Sequence, residues 1–202
     1  MNGTHIRRKS TALVERTGMV CMLLAGFAIG ASATAQEVTA PPAVRRTTVG
    51  VELDALPYVS GGYYMSGWIG HGRIRVRPVA TKTTLPSFVV QGGFKNADLE
   101  VYAVIVDYFP RHGFRGFWAG AGAEYWRNNI ENASNGGTAR WDNAVATIGG
   151  GYVWNFAGSF YLNPWAAGHL VVGGPTGVNA GGSIYSPKRF TPEVSIKLGW
   201  HF

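Results

Sequence analysis

The sequence has a single cysteine, Cys21, and beyond residue 35 it has no apolar run that approaches the length of a membrane-spanning helix. An intramolecular disulfide is therefore excluded, and a helical span would need about 20 consecutive apolar residues. The sequence also lacks cysteine and histidine at metal-ligand spacing and the catalytic motifs G-x-S-x-G and H-E-x-x-H. These absences predict a protein without a metal site, a cofactor or catalytic residues.

Residues 1–35 have the three parts of a secretory signal peptide. Basic residues stand at positions 7–9 and 16, an apolar run covers 19–30, and A-S-A-T-A offers cleavage after Ala33 or Ala35. Removing residues 1–35 takes away four basic residues and one acidic residue, which lowers the formal charge from +7 to +4. The high isoelectric point therefore belongs partly to the signal peptide, and we predict no nucleic-acid partner.

What remains after cleavage is rich in glycine and aromatic residues and fits one exported domain. Residues 36–46 contain Pro41 and Pro42 and predict an irregular periplasmic lead-in. From residue 47 onward, apolar and polar residues alternate in many short segments, which is typical of strands with one apolar and one polar face. The alternation predicts eight strands, at Thr47–Leu56, Ser66–Arg77, Pro86–Phe94, Asp98–Phe109, Phe114–Asn129, Arg140–Asn155, Ser159–Val172 and Thr191–Phe202.

The last predicted strand places Val194, Ile196, Leu198, Trp200 and Phe202 on one face. This pattern resembles the closing strand of Gram-negative outer-membrane β-barrels, in which a terminal phenylalanine on the outward face is part of the assembly signal. Together with the export signal, the chain resembles small barrels such as the membrane domain of outer-membrane protein A and the W-type porin-like proteins. The resemblance implies an all-β, eight-stranded, antiparallel, up-and-down transmembrane barrel over residues 47–202, with Trp200 and Phe202 as its assembly signal.

The resemblance also implies a place and a set of partners. We expect a monomer in the cell outer membrane, in contact with phospholipid and lipopolysaccharide and assembled by periplasmic chaperones and the barrel-assembly machinery. Long connections are expected outside and short turns in the periplasm. Aromatic belts are expected at both rims, with Phe117, Trp118, Tyr152, Trp154, Phe160, Tyr161, Trp200 and Phe202 at the periplasmic rim and Tyr125, Trp126, Trp141 and Phe190 at the outer rim.

Charged residues at alternate positions of the predicted strands cannot face lipid, because each arginine near the bilayer midplane would cost about 2–4 kcal/mol. They predict an ion-pair network in the lumen, made of Glu52, Asp54, Arg73, Arg75, Arg77, Glu124 and Lys197; His71, Gln91, His169 and His201 are expected to point inward as well. The expected partners of Glu52 are Arg73 across the first hairpin and Lys197 across the closing seam.

Three functions remain open at this point. The first is a structural or narrow-pore protein without catalysis, whose lumen is either packed or gated by re-pairing of Arg73 or Lys197. The second is an enzyme that modifies lipid A or phospholipid, for which His169 is the only candidate, although the serine that the outer-membrane deacylases place two residues after their histidine is here Val171. The third is a surface barrel that binds ligands through its outer loops.

Overall fold

The computed structural model describes residues 47–202, so that the predicted signal peptide (1–35) and lead-in (36–46) lie outside the described residues. No helix within 47–202 is long and apolar enough to cross a membrane. The elements are β1 (Thr47–Asp54), α1 (Ala55–Val59), β2 (Tyr63–His71), β3 (Ile74–Thr84), a short 3₁₀ helix (Ser87–Val89), β4 (Phe94–Tyr108), β5 (Gly116–Asn132), β6 (Thr138–Ala157), β7 (Phe160–Gly173), β8 (Val178–Ala180), β9 (Ser183–Tyr185) and β10 (Phe190–His201).

Eight of these strands form a closed barrel in the order β1-β2-β3-β4-β5-β6-β7-β10. Every neighbouring pair is antiparallel, and β1 closes the ring against β10 with Leu53 opposite Leu198 and Asp54 opposite Lys197. Consecutive barrel strands are neighbours throughout, and the β8–β9 hairpin is inserted before the last one. The predicted eight-stranded, antiparallel, up-and-down barrel is confirmed.

The two faces of the wall follow the alternation in the sequence. On β1, Val49, Val51 and Leu53 are exposed on the outside, while Glu52 and Asp54 are buried inside. On β10 the predicted outward residues Val194, Ile196, Leu198 and Trp200 are likewise exposed. The exposed outer faces of β6 and β5 carry Ala144, Ala146, Ile148, Tyr152, Trp154, Phe117, Ala121 and Tyr125. The outer face of the barrel is thus largely apolar, whereas β1 and β10 direct Glu52, Asp54 and Lys197 inside.

The two ends of the barrel differ in their connections. Residues 55–62, 85–93, 133–137 and 174–189 connect the strands at one end, which we call the long-loop end. Residues 72–73, 109–115 and 158–159 connect them at the other, which we call the short-turn end. Three of the four long-loop connections are longer than every connection at the opposite end.

The predicted strand Ser66–Arg77 is wrong, because it is a hairpin of β2 and β3 rather than one strand. Its two-residue turn is Gly72–Arg73, where Gly72 has a φ of +64°. A glycine with positive φ at the first turn position is typical of the type II′ turn that joins antiparallel strands. Because His71 and Ile74 pair across this turn, both point outward. An unbroken strand with Arg75 and Arg77 inside would put Trp68 outside, whereas Trp68 lies inside.

Two further boundaries near this hairpin are also wrong. Residues 79–84, which the predicted strands leave as part of a connection, lie within β3, and the predicted third strand Pro86–Phe94 is a connection that contains the 3₁₀ helix, apart from Phe94, which begins β4. The count of eight survives because one predicted strand contains two real ones and another contains none.

The β8–β9 hairpin packs on the long-loop end. Asn132, at the end of β5, donates hydrogen bonds to the carbonyl oxygen of Ala180 and the hydroxyl of Ser183, both at 3.0 Å. Its side-chain oxygen accepts hydrogen bonds from the amide and the hydroxyl of Ser134 at 3.0 and 2.7 Å. Tyr185 packs against Phe94, and burial raises the pKa of its phenol. One buried amide therefore joins two of the long-loop connections.

Three of the predicted rim aromatics lie in the lumen. Trp118, Trp126 and Tyr161 are buried inside the wall. Each neighbours an aromatic residue that points outward, namely Phe117, Tyr125 and Phe160. Adjacent residues of a strand point to opposite faces, so only one of each pair can reach the outer surface.

Candidate functional site: the charged lumen

The middle of the lumen holds four charged side chains that are fully buried. Arg75 and Arg77 stand two residues apart on β3, so the strand period directs both inward. Glu52 comes from β1 and Asp107 from β4, and the exposed fraction of all four residues is 0%. We call them the lumen quartet.

The lumen quartet is closely paired. The Nε atoms of Arg75 and Arg77 both donate to Oδ2 of Asp107 at 2.7 Å. Their Nη1 atoms donate to the two different oxygens of Glu52 at 3.1 Å, and Nη2 of Arg77 also reaches Oδ1 of Asp107 at 3.1 Å. Two carboxylates and two guanidinium groups give the quartet no net charge, which is the condition under which buried charges are tolerated.

Neutral side chains complete the hydrogen bonds of Glu52. The Tyr161 hydroxyl and the Asn163 amide each donate to its Oε1 at 3.0 Å. Trp68 donates to the Tyr161 hydroxyl at 2.7 Å, and Trp118 donates to Oδ1 of Asn163 at 2.9 Å. Every donor around Glu52 is therefore fixed by another group.

Aromatic rings pack against both guanidinium groups. The Arg75 guanidinium carbon lies 5.0 Å from the ring centre of Phe109 and 5.4 Å from that of Trp68. The Arg77 carbon lies 5.0 Å from the ring centre of Trp118. Cation–π contacts of this length stabilise a desolvated cation by roughly 2 kcal/mol. The quartet and these rings are buried together in the lumen.

Lys197 forms a second layer of charge toward the long-loop end. Its ammonium group lies 3.4 Å from Oδ2 of Asp54 and 3.0 Å from the hydroxyl of Ser195. It also lies 4.0 Å from the ring centre of Trp165 and 5.1 Å from that of Tyr64. Lysine and aspartate again cancel, so this layer is neutral as well.

The third layer is built around His169. Its Nε2 lies 3.0 Å from Oε2 of Glu193, and its Nδ1 lies 3.3 Å from Oε1 of Glu124. The Thr147 hydroxyl donates to Glu124 at 2.6 Å and lies 2.8 Å from Nδ1 of His169. Because the hydroxyl proton is directed to Glu124, the histidine nitrogen donates to this hydroxyl rather than withdrawing its proton. The arrangement fits charge pairing better than activation of a nucleophile.

The structure places six of the seven predicted network residues in these layers, namely Glu52, Asp54, Arg75, Arg77, Glu124 and Lys197. The prediction that Arg73 belongs to this network is wrong. Arg73 lies in the exposed turn after β2, and its side chain reaches only the Tyr108 hydroxyl, at 3.5 Å. Glu52 therefore pairs with Arg75 and Arg77, and Lys197 pairs with Asp54. His71 and Gln91 are also exposed and do not point into the lumen.

Sequence reasoning missed Asp107, Asn163, Thr147 and Glu193. Asp107 had a detectable signal, because it is the one charged residue on the face that Val101, Ala103 and Ile105 share. The other three are short or terminal polar residues whose partners depend on the register between distant strands. Within residues 47–202, no group of three His, Cys, Asp or Glu side chains is arranged to hold a metal ion.

No protein-family model matches the sequence, and no curated protein matches it. Two solved structures are similar to this chain. The N-terminal β-barrel domain of Pseudomonas aeruginosa OprF is 14% identical, covering 77% of this chain and 95% of its own, with a TM-score of 0.44. Neisserial surface protein A is 10% identical, covering 77% of this chain and 94% of its own, with a TM-score of 0.48.

Proposed function

We propose that the protein is an integral outer-membrane β-barrel with a sealed lumen and a structural role, without catalysis. The observation that supports this most directly is the reversal of polarity across the wall. Ile148, Val172 and Ile196 are 71%, 63% and 62% exposed on the outside, whereas Arg75, Arg77 and Glu52 are fully buried inside. In water such a surface would be an aggregation hazard, whereas in a bilayer it is the stable arrangement.

The closure of the ring supports the same location. A closed barrel satisfies every backbone hydrogen bond within the wall, which hydrocarbon requires because it offers no partner to an exposed amide. The long-loop end then faces the outside of the cell and the short-turn end faces the periplasm, as is usual for these barrels. Phospholipid and lipopolysaccharide are the contacts that this location provides.

Packing of the lumen favours a sealed barrel over an open pore. The lumen quartet and its four aromatic neighbours, Trp68, Phe109, Trp118 and Tyr161, are all less than 5% exposed. Eight strands enclose a space that side chains can just fill. Opening a path would require one guanidinium to leave both of its carboxylates, and each lost buried partner costs about 3–5 kcal/mol.

The test is a pair of measurements on protein purified from the membrane fraction. Migration with and without boiling shows whether a folded barrel is present, and single-channel recording in a planar bilayer shows whether it conducts. We expect a heat-dependent shift and no discrete openings. The double variant Arg77→Ser/Asp107→Ser removes one charge of each sign, and we expect it to conduct if it keeps the heat-dependent shift.

The two measurements separate the parts of the proposal. Discrete openings of the wild-type protein would refute the sealed lumen and favour a narrow pore, leaving the barrel intact. Absence of both membrane insertion and the heat-dependent shift would refute the membrane barrel itself.

A further inference from the structure

The connection between β4 and β5 is anchored in the barrel by two phenylalanines. Phe109 and Phe114 are buried and pack edge to face, with ring centres 5.4 Å apart. Phe114 also packs against Trp68 at 5.4 Å, and the amide of Phe109 donates to the carbonyl oxygen of Arg73 at 2.8 Å. Positive φ angles at Gly113 and Phe114 bend the chain back between these anchors. The connection is therefore held in one shape.

The anchored connection displays its basic residues. Arg111, His112 and Arg115 are exposed. Arg111 and Arg115 line a recess of about 420 Å³ at the short-turn end, together with Tyr152, Trp154 and Asn155. A Cβ atom on Gly116 would lie 3.7 Å from Nη1 of Arg111, which is ordinary van der Waals contact, so the guanidinium group lies directly beside this glycine.

No acidic side chain balances these arginines. The short-turn connections and their flanking residues, 71–74, 109–116 and 157–160, contain Arg73, Arg111 and Arg115 and no aspartate or glutamate. Within residues 47–202, none of the three arginines forms an ion pair. The long-loop end differs, since it carries both signs and forms ion pairs between some of them, as in Lys95–Glu131 at 3.1 Å and Arg127–Glu100 at 3.9 Å.

The apolar side of the recess belongs to the aromatic rim. Trp154 is 59% exposed on the outer surface of the barrel, and Tyr152 packs edge to face against Phe117 with ring centres 4.9 Å apart. Aromatic rings of this kind prefer the level at which hydrocarbon meets the headgroups. The recess thus combines two unpaired guanidinium groups on its polar side with aromatic surface on its apolar side.

We propose that this recess binds the phosphodiester headgroup of an anionic glycerophospholipid in the leaflet at the short-turn end. This inference rests on the proposed membrane location. Arg111 and Arg115 would hold the phosphate by charge-assisted hydrogen bonds, and Trp154 would contact the glycerol and the start of the acyl chains. Since no carboxylate lines the recess, a headgroup ammonium finds no partner there, which favours phosphatidylglycerol over phosphatidylethanolamine.

The experiment is native mass spectrometry of the membrane-purified protein after removal of its lipid. Phosphatidylglycerol and phosphatidylethanolamine with identical acyl chains are titrated in turn. The test variant is Arg111→Gln/Arg115→Gln, and the matched control is Lys188→Gln/Arg189→Gln, which removes the same charge from the long-loop end. Each arginine near a lipid surface contributes about 1 kcal/mol, so the test variant should bind phosphatidylglycerol about thirtyfold more weakly, and the control should bind it as the wild type does.

Three results would overturn the proposal. They are equal retention of the two lipids, unchanged affinity in the test variant, and a matching loss in the control, which would indicate attraction by overall charge. A further titration adds inorganic phosphate at millimolar concentration. If the phosphate displaces the lipid, the recess binds free anions rather than a lipid headgroup, which would also overturn the proposal. Loss of the heat-dependent shift in the wild-type protein would signal failure of the membrane barrel, which keeps the two failures distinguishable.

Discussion

Replacing Glu52 with glutamine keeps the size of the side chain and removes one charge from the lumen quartet. Glu52 accepts hydrogen bonds from Arg75, Arg77, Tyr161 and Asn163, at distances between 3.0 and 3.1 Å. Glutamine would direct two N–H donors into this set of donors and would leave the quartet with a net charge of about +1 in a dry environment. Breaking a buried ion pair in this way costs about 3–5 kcal/mol, so we expect a loss of that size in the free energy of unfolding.

The measurement is urea unfolding of the protein in phospholipid vesicles, followed by tryptophan fluorescence. Glu100→Gln is the matched control, because Glu100 lies on the outer surface, 30% exposed, at 3.9 Å from Arg127. Exposed pairs contribute about 0–1 kcal/mol, so this variant should unfold close to the wild type. The double variant Glu52→Gln/Arg75→Gln restores the neutrality of the quartet. Its loss of unfolding free energy should therefore be smaller than the sum of the losses in the two single variants. If Glu52→Gln costs no more than the control, the argument that charge balance stabilises the lumen is wrong.

Two further predictions concern glycine and asparagine positions. A Cβ atom on Gly199 would collide with the Tyr161 ring, so Gly199→Ala should lower the free energy of unfolding by about 1–3 kcal/mol. Gly67→Ala, whose Cβ would approach only a backbone oxygen at 3.8 Å, is the control, and equal stability of the two variants would contradict the packing argument. Asn132→Ala should release the β8–β9 hairpin, detected as faster hydrogen exchange over residues 177–187 with the barrel strands unchanged. Exchange as slow as in the wild type would show that apolar packing alone holds the hairpin.

The alternation of apolar and polar residues was enough to predict the faces of β1 and β10. In a barrel wall each residue contacts either the lumen or the surroundings, so a run such as Val49, Val51 and Leu53 against Glu52 and Asp54 leaves only one consistent orientation. The prediction needed no knowledge of neighbouring strands, because the two environments differ in polarity for the whole length of the strand.

The hairpin of β2 and β3 shows where this reasoning fails. The turn residues Gly72 and Arg73 interrupt the alternation without any loop of polar residues, so the pattern continues across them with its phase inverted. A glycine inside an apparently continuous strand was the available signal. A hairpin turn predicted at this glycine would have placed Arg73 in the turn and Trp68 inside. With two strands assigned to residues 66–77, a strand at 86–94 would not have been needed to reach eight.

Pairing partners within the lumen depend on information that a single strand does not carry. Glu52 meets Arg75 and Arg77, which stand two strands away across the ring, and Asn163 from β7. Which residues share a height is set by the stagger between strands around the whole barrel. The sequence predicts that the acids and bases share the lumen, and the closed ring decides their partners.

The tryptophans in the lumen follow from the same geometry and tie the aromatic packing to the charges. A buried indole needs an acceptor for its N–H group. Trp68 finds one in Tyr161 and Trp118 finds one in Asn163, and both acceptors donate in turn to the same oxygen of Glu52. Rings that would only fill space therefore also orient the two neutral donors that hold the carboxylate. Since the carboxylate holds both arginines, a change in either indole should weaken the ion pairs, and the packing and the charge balance of this lumen cannot vary independently.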